Sequence, residues 1–176
     1  MAFGEVTCMI FGGLSPVFTK TVGSKRMAFF WSALLCLVLS IAFFFIPMSP
    51  DYIWVMIALV ILTSIGIGIY SPLMWSMYAD VADYHTEHFG ASATGLIFSS
   101  GTMSQKFGTA ISGSLIALFL GWAGANMITD KMGNTVIDPT SITDSVLMMV
   151  WSLFSLFPAV IAFLLMVLSY KFPIKK

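Results

Sequence analysis

The chain has 176 residues, 59% of them apolar and 9% charged, with zero formal net charge and a mean hydropathy of +0.96. A soluble domain carries about 25% charged residues, so this composition excludes an ordinary water-soluble enzyme or binding domain. Zero net charge gives no electrostatic footprint for nucleic acid, and the expected class is an all-α, polytopic membrane helical bundle.

A helix needs about 20 apolar residues to cross the hydrocarbon core. On that measure the chain offers five segments, in order Phe3 to Phe18, Met27 to Ile46, Tyr52 to about Met77, about Ala93 to Trp122, and Ser145 to about Tyr170. The runs are continuous rather than alternating, which fits helices and not a β-barrel. The first segment is short and is weakened by Glu5 and Pro16. Glu5 reads either as an intramembrane carboxylate or as a group near the outer surface. The start lacks the basic residue and cleavage site of a signal peptide. Cys8 and Cys36 lie in apolar runs and read as small buried or lipid-facing residues.

The connections set the topology. Lys20, Lys25 and Arg26 in the first loop fall on the same side as Lys171, Lys175 and Lys176 in the tail, whereas the second and fourth loops hold Lys131 alone. The positive-inside rule therefore puts the first and third loops and the C-terminus in the cytoplasm. Asp130, Asp138 and Asp144 fall outside. Trp54, Tyr52, Trp75, Tyr78, Trp122, Trp151 and Tyr170 are expected near the membrane interfaces. Five spans, a weak first one and an outside N-terminus suggest a chain that begins part-way through a larger one.

Two places carry ionisable groups close to or within apolar segments. Asp80, Asp83 and Glu87 follow the third segment at i, i+3 and i+7, in a stretch from Ala79 to Ser92 read as a polar loop; a continuing helix would put them on one face. They read as a cytoplasmic gate or as a solvated helix end. Lys106 sits within the fourth segment. At 100° per residue Ser99, Thr102, Lys106, Thr109 and Gly113 share one polar sector. An ionisable group that deep usually lines a cavity or ion path; the alternative is a lysine that snorkels to the interface. Ser100, Ser104, Gly108 and Ser112 form a second sector of small residues, suited to close helix packing. Pro72, with Gly66 and Gly68, predicts a kink or weak point. His85-Thr-Glu-His88 misses the zinc-protease patterns and reads as a solvated loop; no metal site or catalytic residue is expected.

The run Pro72-Leu-Met-Trp75-Ser-Met-Tyr-Ala-Asp80-Val-Ala-Asp83-Tyr84, then Gly90, Gly95-Leu-Ile-Phe98-Ser99 and Lys106-Phe-Gly108-Thr-Ala-Ile-Ser-Gly113, resembles the glycoside–pentoside–hexuronide:cation symporters, the melibiose-permease-like branch of the major facilitator superfamily. Gly23-Ser-Lys25-Arg26 resembles the basic loop after helix eight in that superfamily. The resemblance implies helices eight to twelve of a twelve-helix transporter in the inner (plasma) membrane. It implies no enzyme activity and no cofactor, but a coupling sodium ion or proton, a sugar substrate and an N-terminal half-bundle as partner. Residues 1–176 would then be one C-terminal half-bundle, its second and fifth segments facing lipid. Lys106, with Ser99, Thr102 and Thr109 and with Trp75 and Tyr78, would belong to the substrate and cation cavity. Asp80, Asp83 and Glu87 would form the cytoplasmic gate. The family's basic residues before the Gly95-type glycine are replaced here by Ala91-Ser92, so the gate would need another cation. The competing expectation is a short non-transporting membrane protein or assembly partner that packs through helix 93–122.

Overall fold

The computed structural model describes residues 2–47, 49–129 and 135–171. Five long helices match the five apolar segments: α1 (Ala2–Val22), α2 (Lys25–Phe44), α3 (Ile53–Phe89), α4 (Thr94–Trp122) and α5 (Asp144–Lys171). By length and apolar character α2, α3 and α5 can each cross a membrane. Of the other two, α1 carries Glu5 in its first turn and Lys20 in its last, and α4 carries Lys106 in its interior. Asp130 and Lys131 of the fourth loop and Lys175 and Lys176 of the tail lie outside the described residues.

The boundaries follow local chemistry. Ser24 caps α2, its hydroxyl accepting from the Met27 N–H, which satisfies one of the orphan donors of the first turn. Gly90 ends α3 in the left-handed region at φ 67° and donates its N–H to Thr86 O, a conformation open to glycine at no steric cost.

That glycine corrects the expected loop from Ala79 to Ser92. α3 runs on to Phe89, leaving only four residues between α3 and α4. Apolar periodicity ends near Met77, but nothing in Ala79–Phe89 breaks a helix, and the first such residue is Gly90. The fourth loop is not featureless either. Met127–Thr129 and Thr135–Ile137 form a two-stranded antiparallel hairpin, β1 and β2, with Ile128 opposite Val136. Pro139–Ser141 adds a 3-10 turn. Ile137 packs with Leu120, Ala125 and Val146, so the hairpin packs against the end of α4 and the start of α5.

The most extensive helix contacts are α2 with α5, α1 with α3, and α2 with α3. Small residues dominate the buried positions: Ser32, Ala33, Cys36 and Ser40 on α2, and Ser155, Ala159 and Ala162 on α5. Between membrane helices close approach, rather than a hydrophobic gradient, holds the pair together. Gly66 and Gly68, expected to weaken α3, are where it touches its neighbours. A Cβ on Gly66 would stand 2.4 Å from Cys36 Sγ of α2, and one on Gly68 2.7 Å from the Cys8 carbonyl of α1. α3 is uninterrupted through Pro72. Ser15 of α1 donates to Ile69 O across the same contact at 3.2 Å. Both cysteines are free thiols, Cys36 buried and Cys8 half-buried.

Candidate functional site

Three of the expected site residues, Asp80, Trp75 and Tyr78, lie at two inter-helix contacts. At the first, Lys25 Nζ donates to both carboxylate oxygens of Asp80, at 2.8 and 2.9 Å. The lysine opens α2 and the acid lies near the end of α3, 55 positions away. The Asp80 side chain is 13% exposed and that of Lys25 33%. Asp80 is therefore not a solvated helix end. Lys25, the first residue of α2, gives Asp80 a cationic partner, and spacing could not show this because the pair exists only once α2 and α3 pack. Asp83 and Glu87 continue along α3 but are exposed, so the three acids do not share one environment. Beside the pair, Arg26 donates to the Tyr170 carbonyl and lies over the Tyr170 ring at 5.4 Å. Two successive basic residues thus tie α2 to α3 and to α5.

At the second contact, Trp75 and Tyr78 of α3 meet Phe98 of α4. The Trp75 and Phe98 rings stack at 6.2 Å, and Tyr78 approaches Phe98 edge-on at 6.4 Å. Gly101 completes it, since a Cβ there would lie 2.8 Å from the Tyr78 ring. Trp75 and Tyr78 are thus inter-helix residues. Trp151 is likewise packed, 4.7 Å from Phe43. Trp54, Trp122 and Tyr170 do sit at helix ends and are 76%, 73% and 70% exposed.

Between Gly101 and its contacts with α5 at Phe119 and Leu120, α4 is exposed. The small-residue face was expected to pack closely, yet nothing lies within 4 Å of a Cβ placed on Gly108. Ser104 and Ser112 are exposed. Close approach occurs at Gly101, which the spacing-by-four pattern passed over; its signal is the Phe98-Ser-Ser-Gly101 run opposite two aromatics. The stripe of Ser99, Thr102, Lys106 and Thr109 is also exposed. Its hydroxyls bond back to their own helix: Ser99 to Gly95 O, Thr102 to Ser99 O and Thr109 to Lys106 O. The ammonium of Lys106 contacts no acid among the described residues. His85 and His88 lie on α3 rather than in a loop, their Nδ1 atoms 3.0 Å from Ala91 O and Tyr84 O respectively. No metal-binding cluster occurs among the described residues.

A bundle of long apolar helices, an inter-helix ion pair at one end and an unaccompanied lysine in an apolar helix define a polytopic membrane protein with transport-type features. The family model described as MFS/sugar transport protein matches residues 1–176, the whole chain, and the protein belongs to that family. It is 39% identical over 101 residues to the "Uncharacterized 29.9 kDa protein in crtE 3'region" of Pseudescherichia vulneris, covering 57% of this chain and 36% of the relative. It is 29% identical over 121 residues to the "Putative glycoside/cation symporter YagG" of Escherichia coli (strain K12), covering 65% and 26%. Identity to the "Glucuronide carrier protein homolog" of the same organism is 33% over 114 residues, covering 63% and 24%. The chain thus matches about a quarter to a third of the length of these relatives. No solved structure matches it. The family is a transporter family, and its members' membrane location agrees with the apolar helices found here.

Proposed function

We propose that the chain forms the C-terminal half-bundle of a secondary transporter that couples sodium or proton entry to uptake of a glycoside or related sugar across the inner membrane. The observation that carries this is the Lys106 stripe on α4. It lies in the stretch 102–114 of α4, exposed on every face, with Lys106 about 18 Å along α4 from the Thr94 end. A cation at that depth is costly in lipid and is tolerated beside a water-filled cavity or an opposing charged group. A second half-bundle facing α4 would enclose Lys106, Ser99, Thr102 and Thr109 between the halves, where transporters of this kind hold substrate near the midplane. Trp75 and Tyr78 then hold α4 against α3 and shape one wall.

Lys25 and Asp80 are read as the in-chain part of the cytoplasmic gate, with Asp83 and Glu87 exposed toward the opposing half. The C-terminus of α5 lies at the same end as this pair, as the basic loops require for a cytoplasmic orientation.

The test is glycoside uptake into proteoliposomes by the complete transporter containing these residues, with Lys106→Ala compared under imposed sodium and proton gradients. Loss of uptake or of coupling is the expected result. Unchanged sugar affinity and unchanged coupling would remove Lys106 from the mechanism.

A further inference from the structure

A cavity of about 370 Å³ lies among α2, α3, α4 and α5, lined by Phe29, Val81, Ile97, Ser100 and Leu168 with their neighbours. Its volume is in the range of clefts that hold a ligand. Two serines of the lining spend their hydroxyls on their own helices, Ser100 on Ile97 O and Ser169 on Met166 O. Such a wall solvates hydrocarbon and offers little to a hydroxylated ligand. α4 and α5 meet at Phe119 and Leu120, about 30 Å of helix from Ser100. At the level of the cavity, Ser100 of α4 and Leu168 of α5 both line it and are exposed, so it opens sideways between these two helices.

One turn further along, the same helix faces become basic. Arg26 lies three residues before Phe29 on α2, and Lys171 three residues after Leu168 on α5, each on the face of that lining residue. The contact of Arg26 with the Tyr170 carbonyl and ring brings the two helix ends together, and Lys171 follows Tyr170 directly. One nitrogen of the guanidinium is used on that carbonyl, which leaves donors of the fork for another acceptor. Lys171 is exposed and pairs with no acid among the described residues. Asp80, next to the lining residue Val81, is already partnered by Lys25. Asp83 and Glu87 lie on other faces of α3 than Val81.

We propose that the opening between α4 and α5 seats one anionic phospholipid, with an acyl chain in the cavity and the phosphate on Arg26 and Lys171. An apolar cavity with a basic rim at one end of membrane helices matches a charged lipid headgroup above its own chain. The planar guanidinium suits phosphate oxygens, and the lysine adds a point charge. A zwitterionic lipid brings the same chains and phosphate but also a cation, which the basic rim repels; this selects a net negative headgroup. The seat goes beyond the transport reading, since it needs neither sugar nor coupling ion.

The experiment is lipid retention by the purified 176-residue chain in detergent. Native mass spectrometry compares bound phosphatidylglycerol with phosphatidylcholine of the same chains, and circular dichroism follows helicity. One phosphatidylglycerol held in preference to phosphatidylcholine is expected. Arg26→Gln and Lys171→Gln should each weaken that binding about fivefold, the factor for one basic residue at an anionic surface. Lys20→Gln, on a helix that does not line the cavity, should bind as the parent does; an equal loss there would mean diffuse attraction and overturn the seat. Because Arg26 also ties α2 to α5, Ser100→Trp provides a second probe. It fills the cavity from its exposed side, keeps both basic residues, and should displace the lipid from the folded chain. Equal retention of the two lipids, or undiminished retention by folded Ser100→Trp, overturns the proposal. So does retention by this chain but not by the complete transporter, which would give the cavity to a helix of the remaining protein.

Discussion

Lys25 and Asp80 are joined by a two-pronged charge-assisted contact, Nζ to Oδ1 at 2.8 Å and to Oδ2 at 2.9 Å, that ties the start of α2 to the last third of α3. The acid is the more buried partner, which makes the consequences of breaking the pair unequal. Lys25→Ala strands a carboxylate with little access to water. Asp80→Asn leaves an ammonium that can turn to solvent. Thermal unfolding in detergent should show Lys25→Ala losing about 2 kcal/mol, below the roughly 3–5 kcal/mol of a fully buried pair. Asp80→Asn should lose less, and the exchanged pair Lys25→Asp with Asp80→Lys should recover part of the loss. Equal losses for both single variants would mean the burial difference is inconsequential.

Glycine substitutions should sort by what each new Cβ meets. Gly68→Ala meets the Cys8 backbone at 2.7 Å, which cannot move without shifting α1, so a loss of about 1–3 kcal/mol is expected. Gly66→Ala meets the Cys36 sulfur at 2.4 Å, a side-chain atom that can rotate only into a packed interface. Gly108→Ala meets nothing within 4 Å and should be neutral or stabilise α4 by up to about 1 kcal/mol, the intrinsic alanine advantage. Melting curves of the three variants in one detergent test the order.

Phe98→Ala removes the α4 side of the aromatic contact. Each such ring pair contributes about 0.5–1.5 kcal/mol beyond area burial, and Phe98 makes two. With so little else holding α4 to α3, the variant should loosen α4 more than it lowers overall stability. A distance label pair on α3 and α4 should broaden while α1–α3 distances stay fixed.

Lys106→Ala should leave the stability of the isolated chain within about 0.5 kcal/mol, as for an exposed side chain without partners. A marked destabilisation would show that Lys106 has a structural counter-charge within this chain. Stability and transport therefore report different things at this position.

Asp138 gives a pH-dependent prediction outside the membrane-spanning helices. The Thr140 N–H donates to its carboxylate at 3.0 Å, which holds the Asp138 carboxyl below its ordinary value. A depressed folded-state pKa means the bond stabilises the turn above the unfolded pKa, near 3.9. That contribution is lost as the pH falls through the folded pKa. The Thr140 amide resonance should therefore shift on acidification below about pH 4, and Asp138→Asn should abolish the titration while keeping the turn.

Helical class, the number of long segments and the basic loops could all be read from the sequence, because hydropathy and charge are local properties. The family's motif was legible too, as an ordered run from Pro72 to Gly113. The end of α3 was misplaced because apolarity fades near Met77 while the helix continues to its glycine stop at Gly90. Periodicity shows which faces of α4 are smooth, not which are occupied; within this chain the close approach to α3 falls at Gly101, outside the small-residue sector.

The sequence by itself determined that this protein is built of membrane helices, and that acids and a lysine interrupt those helices. Those facts follow from transfer free energies, which depend on residue type and length alone. Tertiary packing decided which charges meet. Lys25 and Asp80 are 55 residues apart and became partners through the α2–α3 contact. Lys106 was left exposed because α4 meets α3 near Phe98 and Gly101 and α5 near Phe119 and Leu120, with Lys106 between those contacts. Electrostatic partnership depends on distance in space, and one-dimensional spacing fixes that distance only within a single helix.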